Sequence, residues 1–176
     1  MSYYGMGNRE LSQLVRKTLK EHGFTSKDVS VRVSTALYDT AVSVTVKNPL
    51  VRLSEVEAVA RTFSEVEYDE RSMEILAGCN VYVHCQYECG IFDDIAEELL
   101  PVAKEVFNNE KWDGRKIAKN EKVEVDIVKI NECESRLYEF DKEEQIKGYV
   151  KGYIIRSAKD LAVAMWRFKN IGTIYA

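Results

Sequence analysis

Val29-Ser30-Val31-Arg32-Val33-Ser34 and, thirteen residues on, Val42-Ser43-Val44-Thr45-Val46 read as two β-strands. In both runs valine alternates with a polar residue, so every second side chain falls on one face of an extended chain. Strands that bury valine on one side and show hydroxyls and charge on the other belong to a sheet covered on a single face. The intervening Ala36-Leu37-Tyr38-Asp39-Thr40 is short enough for a hairpin. Asn48-Pro49 ends the second strand, because proline has no N–H for a ladder.

Working outward, helical periodicity flanks this hairpin. Leu11, Leu14, Val15 and Leu19 recur on one helix face, with Arg16, Lys17 and Lys20 on the wet side and His22-Gly23 as the stop. Downstream, Leu53-Ser54-Glu55-Val56-Glu57 predicts a capping box, with Ser54 as N-cap and Glu57 reaching back to it. Val56, Val59, Ala60 and Phe63 form the stripe of that helix. Val81-Tyr82-Val83-His84-Cys85-Gln86-Tyr87 reads as a third strand. Residues 1–90 therefore predict a two-layer α-β-β-α-β domain.

Residues 91–176 predict a second, mixed α/β half with antiparallel strands. Ile95, Leu99, Val102, Ala103 and Val106 mark a helix, with Asp93 and Asp94 at its positive end and a kink expected at Pro101. Residues 108–121 read as a polar loop. Val123, Val125 and Ile127 alternate as a strand, with Leu137-Tyr138-Glu139-Phe140 as a short partner and another strand near 146–156. Ser157-Ala158-Lys159-Asp160 opens a last helix with Leu161, Met165, Trp166 and Phe168 for burial. The predicted class is α+β, and the two halves form either two domains or one continuous core.

Composition bounds the function. Of 176 residues, 45% are hydrophobic and 31% charged, enough for a real core and too apolar for a disordered tail. Lys and Arg number 25 against 29 Asp and Glu, a net charge of −4 that argues against a simple coat for nucleic acid. Met1 to Gly7 has neither a basic start nor an apolar run, and no stretch nears the roughly 20 apolar residues of a membrane helix. The expectation is a soluble, cytoplasmic protein with no membrane contact. Cys79, His84, Cys85 and Cys89 are close in sequence, but strand alternation sends His84 and Cys85 to opposite faces. Buried thiols in a core strand outweigh a metal site, and no cofactor is predicted.

The helix Leu14-Val15-Arg16-Lys17-Thr18-Leu19-Lys20, the strand Val29-Ser30-Val31-Arg32, the strand Val42-Ser43-Val44-Thr45-Val46 and the helix Glu55-Val56-Glu57-Ala58-Val59 follow one another in an order that is met elsewhere. Over residues 11–87, about half the chain, the sequence resembles the large polyvalent-protein-associated domains of phages and conjugative elements. Lys47-Asn48-Pro49 stands where that family has a tryptophan-containing turn. The resemblance implies an origin on a mobile element, whose small proteins handle nucleic acid or blunt host defences, and it carries no site residues.

Three surfaces are candidates for function. Glu65, Glu67, Asp69 and Glu70 form an acidic stretch, with Asp93, Asp94 and Glu97 as a second set; such carboxylates suit the basic, nucleic-acid-binding groove of another protein. Read with the resemblance, they predict a non-catalytic inhibitor of a host defence nuclease, RNA-guided or restriction, of the anti-CRISPR or anti-restriction type. The rival is a DNA- or RNA-binding accessory module. It would use a strand face of Lys147, Tyr149, Lys151 and Tyr153, with Trp112 and Arg115 from the loop before. An unrecognised hydrolase is the third reading, although His22 and His84 lie on different elements and no phosphate loop, serine elbow or paired-histidine motif is present. No catalytic residue is predicted, and a homodimer is compatible with the exposed strands.

Overall fold

The structure, a computed structural model, describes residues 2–76, 78–108, 114–131, 134–141 and 151–175. Within them lie four α-helices and seven strands in two sheets, an α+β fold. The chain divides into two compact units, Met1–Ile91 and Phe92–Ala176, each with its own apolar cluster.

The first unit runs α1 (Asn8–Glu21), β1 (Val29–Ala36), β2 (Asp39–Val46), α2 (Leu53–Ala60) and β3 (Val81–Tyr87). Its sheet has the order β1-β2-β3. β1 and β2 pair antiparallel through a turn of only two residues, Leu37 and Tyr38, because pairing extends to Ala36 opposite Asp39. β2 and β3 are parallel, which requires a crossover, and the segment containing α2 supplies it. The valines predicted to face inward do so: Val42, Val44, Val46 and Val81 are fully buried beside Leu11, Val15 and Leu19 of α1. Arg16 of α1 reaches the open edge of β1 and donates to the Val31 carbonyl at 2.5 Å.

The start of α2 departs from the sequence reading. Its N-cap is Arg52, no side chain caps it, and Ser54 lies inside the helix. Glu57 pairs instead with Arg61, one turn on, at 2.9 Å and 2.5 Å. A guanidinium at i+4 takes the carboxylate that the Ser54 backbone N–H was expected to hold.

The second unit runs α3 (Asp93–Phe107), β4 (Arg115–Lys119), β5 (Val123–Asn131), β6 (Glu134–Asp141), β7 (Lys151–Ile155) and α4 (Ala158–Ile171). The sheet order is β4-β5-β6-β7, antiparallel throughout. Val125, Leu137, Ile155 and Leu161 are fully buried between sheet and helices. α3 continues through Pro101 as one helix. Ser157 caps α4 by accepting from the Asp160 N–H at 3.1 Å, and Gly172 ends it with a φ of 83°, the left-handed region where glycine carries no steric penalty.

Two boundaries are corrected. The polar loop expected over 108–121 contains β4, whose alternation is hidden by a register shift between Lys116 and Ala118. The short partner at 137–140 is a full strand of eight residues, Glu134–Asp141. Of the strand expected near 146–156, Lys151–Ile155 is described, and 146–150 lie outside the described residues.

A buried carboxylate fastens the C-terminal segment of this unit. Glu139, only 7% exposed, accepts from the Thr173 hydroxyl at 2.9 Å and 2.8 Å and from the Ile174 N–H at 2.8 Å. That places Ile174, 1% exposed, in the core.

Candidate interaction surface

The first acidic stretch lies on the connection between α2 and β3, and local chemistry explains its path. After a 3-10 turn at Arg61–Phe63, the backbone of Glu65 pairs with Val81 in both directions, at 3.0 Å and 2.7 Å. The chain then doubles back. The Asp69 carboxylate accepts from the Arg71 and Ser72 N–H groups at 2.9 Å and 2.8 Å, and Tyr68 bridges Ile75 across the small hairpin so formed.

Asn80, fully buried, ties this hairpin to the β1–β2 turn. Its Nδ2 donates to the Asp39 carboxylate at 3.2 Å and to the carbonyls of Leu76 and Gly78 at 2.8 Å and 3.2 Å, while its Oδ1 accepts from the Glu67 N–H at 3.0 Å. The Cys79 N–H donates to the Tyr38 carbonyl at 2.9 Å. Residues 37–39, 65–76 and 78–80 thus make one corner of the first unit.

That corner concentrates backbone strain and exposed apolar surface. Among the described residues, the non-glycine positions with positive φ are Leu37 at 55°, Met73 at 57° and Cys79 at 67°, and all lie here. An L-residue in this region costs about 1–2 kcal/mol through the clash of its Cβ with the following carbonyl. Leu37 is 95% exposed and Met73 72% exposed, so neither recovers that cost by packing. Tyr38, Tyr68, Ile75 and Leu76 of the same corner are also exposed. Sequence reading missed this apolar set because it saw only the charges between its members.

The fold uses half of the first acidic set. Glu65 accepts from the Ser2 hydroxyl and from the Tyr3 and Tyr4 N–H groups at 2.9 Å, 2.8 Å and 3.1 Å, anchoring the N-terminal segment. Burial alone would raise its pKa, but these hydrogen bonds outweigh it and hold the carboxyl below its ordinary value. Asp69 is likewise lowered, by the N–H donors of Ser72 first and Arg71 second. Glu67 and Glu70 remain exposed and turned to water. The second set belongs to the other unit: Asp93 pairs with Lys159 of α4 at 2.8 Å, and Asp94 and Glu97 are exposed on α3.

Only part of the Lys/Tyr strand face lies within the described residues. Lys147, Tyr149 and Trp112 lie outside the described residues. Lys151 and Tyr153 lie in β7, in register with Glu139 and Leu137 of β6. Tyr153 is exposed and meets Tyr175 edge-on at 6.1 Å. Arg115 is exposed at the start of β4, while Lys116 and Lys119 of that strand pair with Glu124 at 2.5 Å and 3.2 Å. Glu124 on the neighbouring strand thus pairs with both of these lysines.

His84 and Cys85 point to opposite faces of β3, with His84 exposed and Cys85 against the core. No group of three or more His, Cys, Asp or Glu among the described residues could hold a metal ion. Burial, and then the charge of Glu57, push the Cys85 thiol up to about 11. Cys79 and Cys89 are exposed. Iodoacetamide at pH 8 should therefore label Cys79 and Cys89 at least tenfold faster than Cys85, followed by peptide mass spectrometry. Equal rates would mean that β3 does not hold its inner face against the core.

No helix among the described residues is long and apolar enough to cross a membrane. Comparison with family models, with curated proteins and with solved structures finds no match to this chain.

Proposed function

We propose that this chain is a non-catalytic binding protein of a phage or mobile element that inhibits a host defence nuclease, docking through the corner built from residues 37–39, 65–76 and 78–80. The observation that carries the docking part is the coincidence of left-handed backbone with outward-pointing Leu37 and Met73. Strain and wet apolar surface both disfavour the isolated molecule, and both are offset when a partner covers them. Glu67 and Glu70 border that surface and favour a partner whose groove is basic, as a nucleic-acid-binding groove is. The defence-inhibitor part rests on the resemblance of residues 11–87 to mobile-element domains.

Co-expression with a panel of RNA-guided and restriction nucleases, scored by phage plating efficiency, tests this reading. Protection against one nuclease is expected. Glu67→Lys with Glu70→Lys should reduce protection at least tenfold while the melting temperature stays within about 2 °C, since exposed charges contribute little to stability. Protection that survives the reversal would remove these carboxylates from the interface, and no protection against any nuclease would remove the inhibitor reading.

A further inference from the structure

β1 ends the first sheet, and the backbone of its outer edge is only partly paired. The Lys47 N–H donates to the Asp28 carbonyl at 2.7 Å, in the register that sets Val29 opposite Val46. Backbone groups alternate in direction along a strand, so Ser30, Arg32 and Ser34 bond to β2 while Val29, Val31, Val33 and Thr35 turn theirs outward. Two of those outward groups are taken: the Val29 N–H donates to the Thr25 carbonyl at 3.0 Å, and the Val31 carbonyl accepts from Arg16. The N–H groups of Val31, Val33 and Thr35 and the carbonyls of Val29, Val33 and Thr35 have no partner among the described residues. Val31 is only 4% exposed, and an N–H held away from water calls for an acceptor.

α1 runs antiparallel beside this edge. Its start meets the far end of β1, where the Thr35 hydroxyl donates to Asn8 Oδ1 at 2.7 Å, and its middle reaches Val31 through Arg16. Its last turns lie by Val29, where Arg16, Lys20, Phe24, Thr25, Ser26 and Val29 line a cavity of about 200 Å³. Two cations line that cavity, and no carboxylate does. The acids adjoining it in sequence are engaged with other groups. Glu21 pairs with Lys17 at 3.9 Å. Asp28 accepts from the Thr25 N–H and hydroxyl at 2.9 Å and 2.7 Å and from the Asn48 amide at 2.8 Å. Arg16 gives the Val31 carbonyl one of the five N–H donors of its guanidinium.

We infer that the groove between α1 and the outer edge of β1 takes an extended acidic peptide of a partner protein, added to the sheet as an antiparallel strand with its carboxyl end at Arg16 and Lys20. The unpaired N–H and C=O groups select a strand, since an extended polypeptide matches their alternation. Antiparallel pairing brings the end of that peptide toward Val29, and the two cations there select carboxylates, from side chains or from a chain terminus. Val33, half-buried, and Thr35, exposed, each offer a full pair of backbone bonds at the other end of the groove. Arg16 keeps four donors for the incoming carboxylate while it holds Val31. The groove shares no residue with the corner, so its occupant is independent of the inhibitor reading.

Selection from a phage-displayed library of random octapeptides with free carboxyl ends tests it. Enrichment of peptides that carry Asp or Glu in their last residues is expected. A synthetic copy of the strongest binder should bind Lys20→Glu, altered at an exposed side chain, at least tenfold more weakly than the wild type, and its binding should weaken as salt rises. Amidating the synthetic peptide separates a terminal carboxylate from side-chain carboxylates as the bound group. Thr35→Pro removes an outward N–H without touching the ladder to β2 and should weaken binding about tenfold. Hydrogen exchange on the wild-type protein needs no variant: the amides of Val31, Val33 and Thr35 should slow when the peptide saturates. Those of Ser30, Arg32 and Ser34, already bonded to β2, should not change. No enrichment, binders without acidic residues, or unaltered exchange at Val31, Val33 and Thr35 would each overturn the inference, as would self-association through this edge that Thr35→Pro abolishes.

Discussion

Replacing Leu37 and Met73 together by glycine should make the first unit more stable and the protein a worse inhibitor. Both residues hold a positive φ, which costs about 1–2 kcal/mol for an L-residue. Glycine relieves that clash and gives back about 0.5–1 kcal/mol in chain entropy, for a net gain of about 1 kcal/mol. Little packing is lost, because Leu37 and Met73 stand 95% and 72% in water. A gain of that size raises the melting temperature of a unit this large by about 4–8 °C.

Partner binding should move the other way, by about a hundredfold, because two apolar anchors at the centre of the corner are removed. Opposite signs in one variant distinguish a surface built for docking from ordinary loop residues, whose loss leaves both quantities nearly unchanged. Calorimetry and a plating assay on the double variant decide the matter. A lower melting temperature would show that the two backbones are not strained, and undiminished inhibition would move the interface elsewhere.

The second large effect is expected at Glu139. Two donors converge on this buried carboxylate, the Thr173 hydroxyl shared between its two oxygens and the Ile174 N–H, and Glu139→Ala leaves both without their acceptor. Hydrogen bonds to a charged group contribute about 1.5–3 kcal/mol each, and the set is not additive, so a loss of about 3 kcal/mol is expected. Urea unfolding followed by tryptophan fluorescence measures it, since Trp166 lies in α4 of this unit. Glu139→Gln should recover part of the loss, because one amide oxygen still accepts.

The same site has an alkaline signature. Tyr175 has a buried hydroxyl with no hydrogen-bond partner among the described residues, and burial first, then the charges of Glu139 and Tyr153, push its pKa up to about 12. The unfolded phenol ionises near 10. A folded pKa above the unfolded one means that this contribution is complete below pH 10 and is lost as pH rises from 10 toward 12. Tyr175→Phe should flatten that part of the stability curve. A curve of unchanged slope would show that the phenol is not held in its neutral form.

Much of the first unit was legible because its strands obey one period without interruption. Val29 to Val33 and Val42 to Val46 alternate strictly, and the register that follows leaves no choice about which side faces α1. β4 was hidden, because a bulge between Lys116 and Ala118 breaks the period over a strand of only five residues. The helix start at Leu53 was misread because Ser54 and Glu57 match a capping box in spacing, whereas Arg61 competes for the carboxylate from the next turn.

For function, the carboxylates were visible in the sequence, but their division into structural and exposed members was not. Glu65 and Asp69 look like Glu67 and Glu70 in a string of letters, and only the approach of Tyr3, Tyr4, Arg71 and Ser72 N–H groups separates them. By itself the sequence determined the α+β class and the buried face of each long strand, because those follow from side-chain period. Only the tertiary structure decided that Leu37, Met73 and Cys79 share one strained corner, because left-handed backbone and contacts between residues forty apart leave no periodic trace.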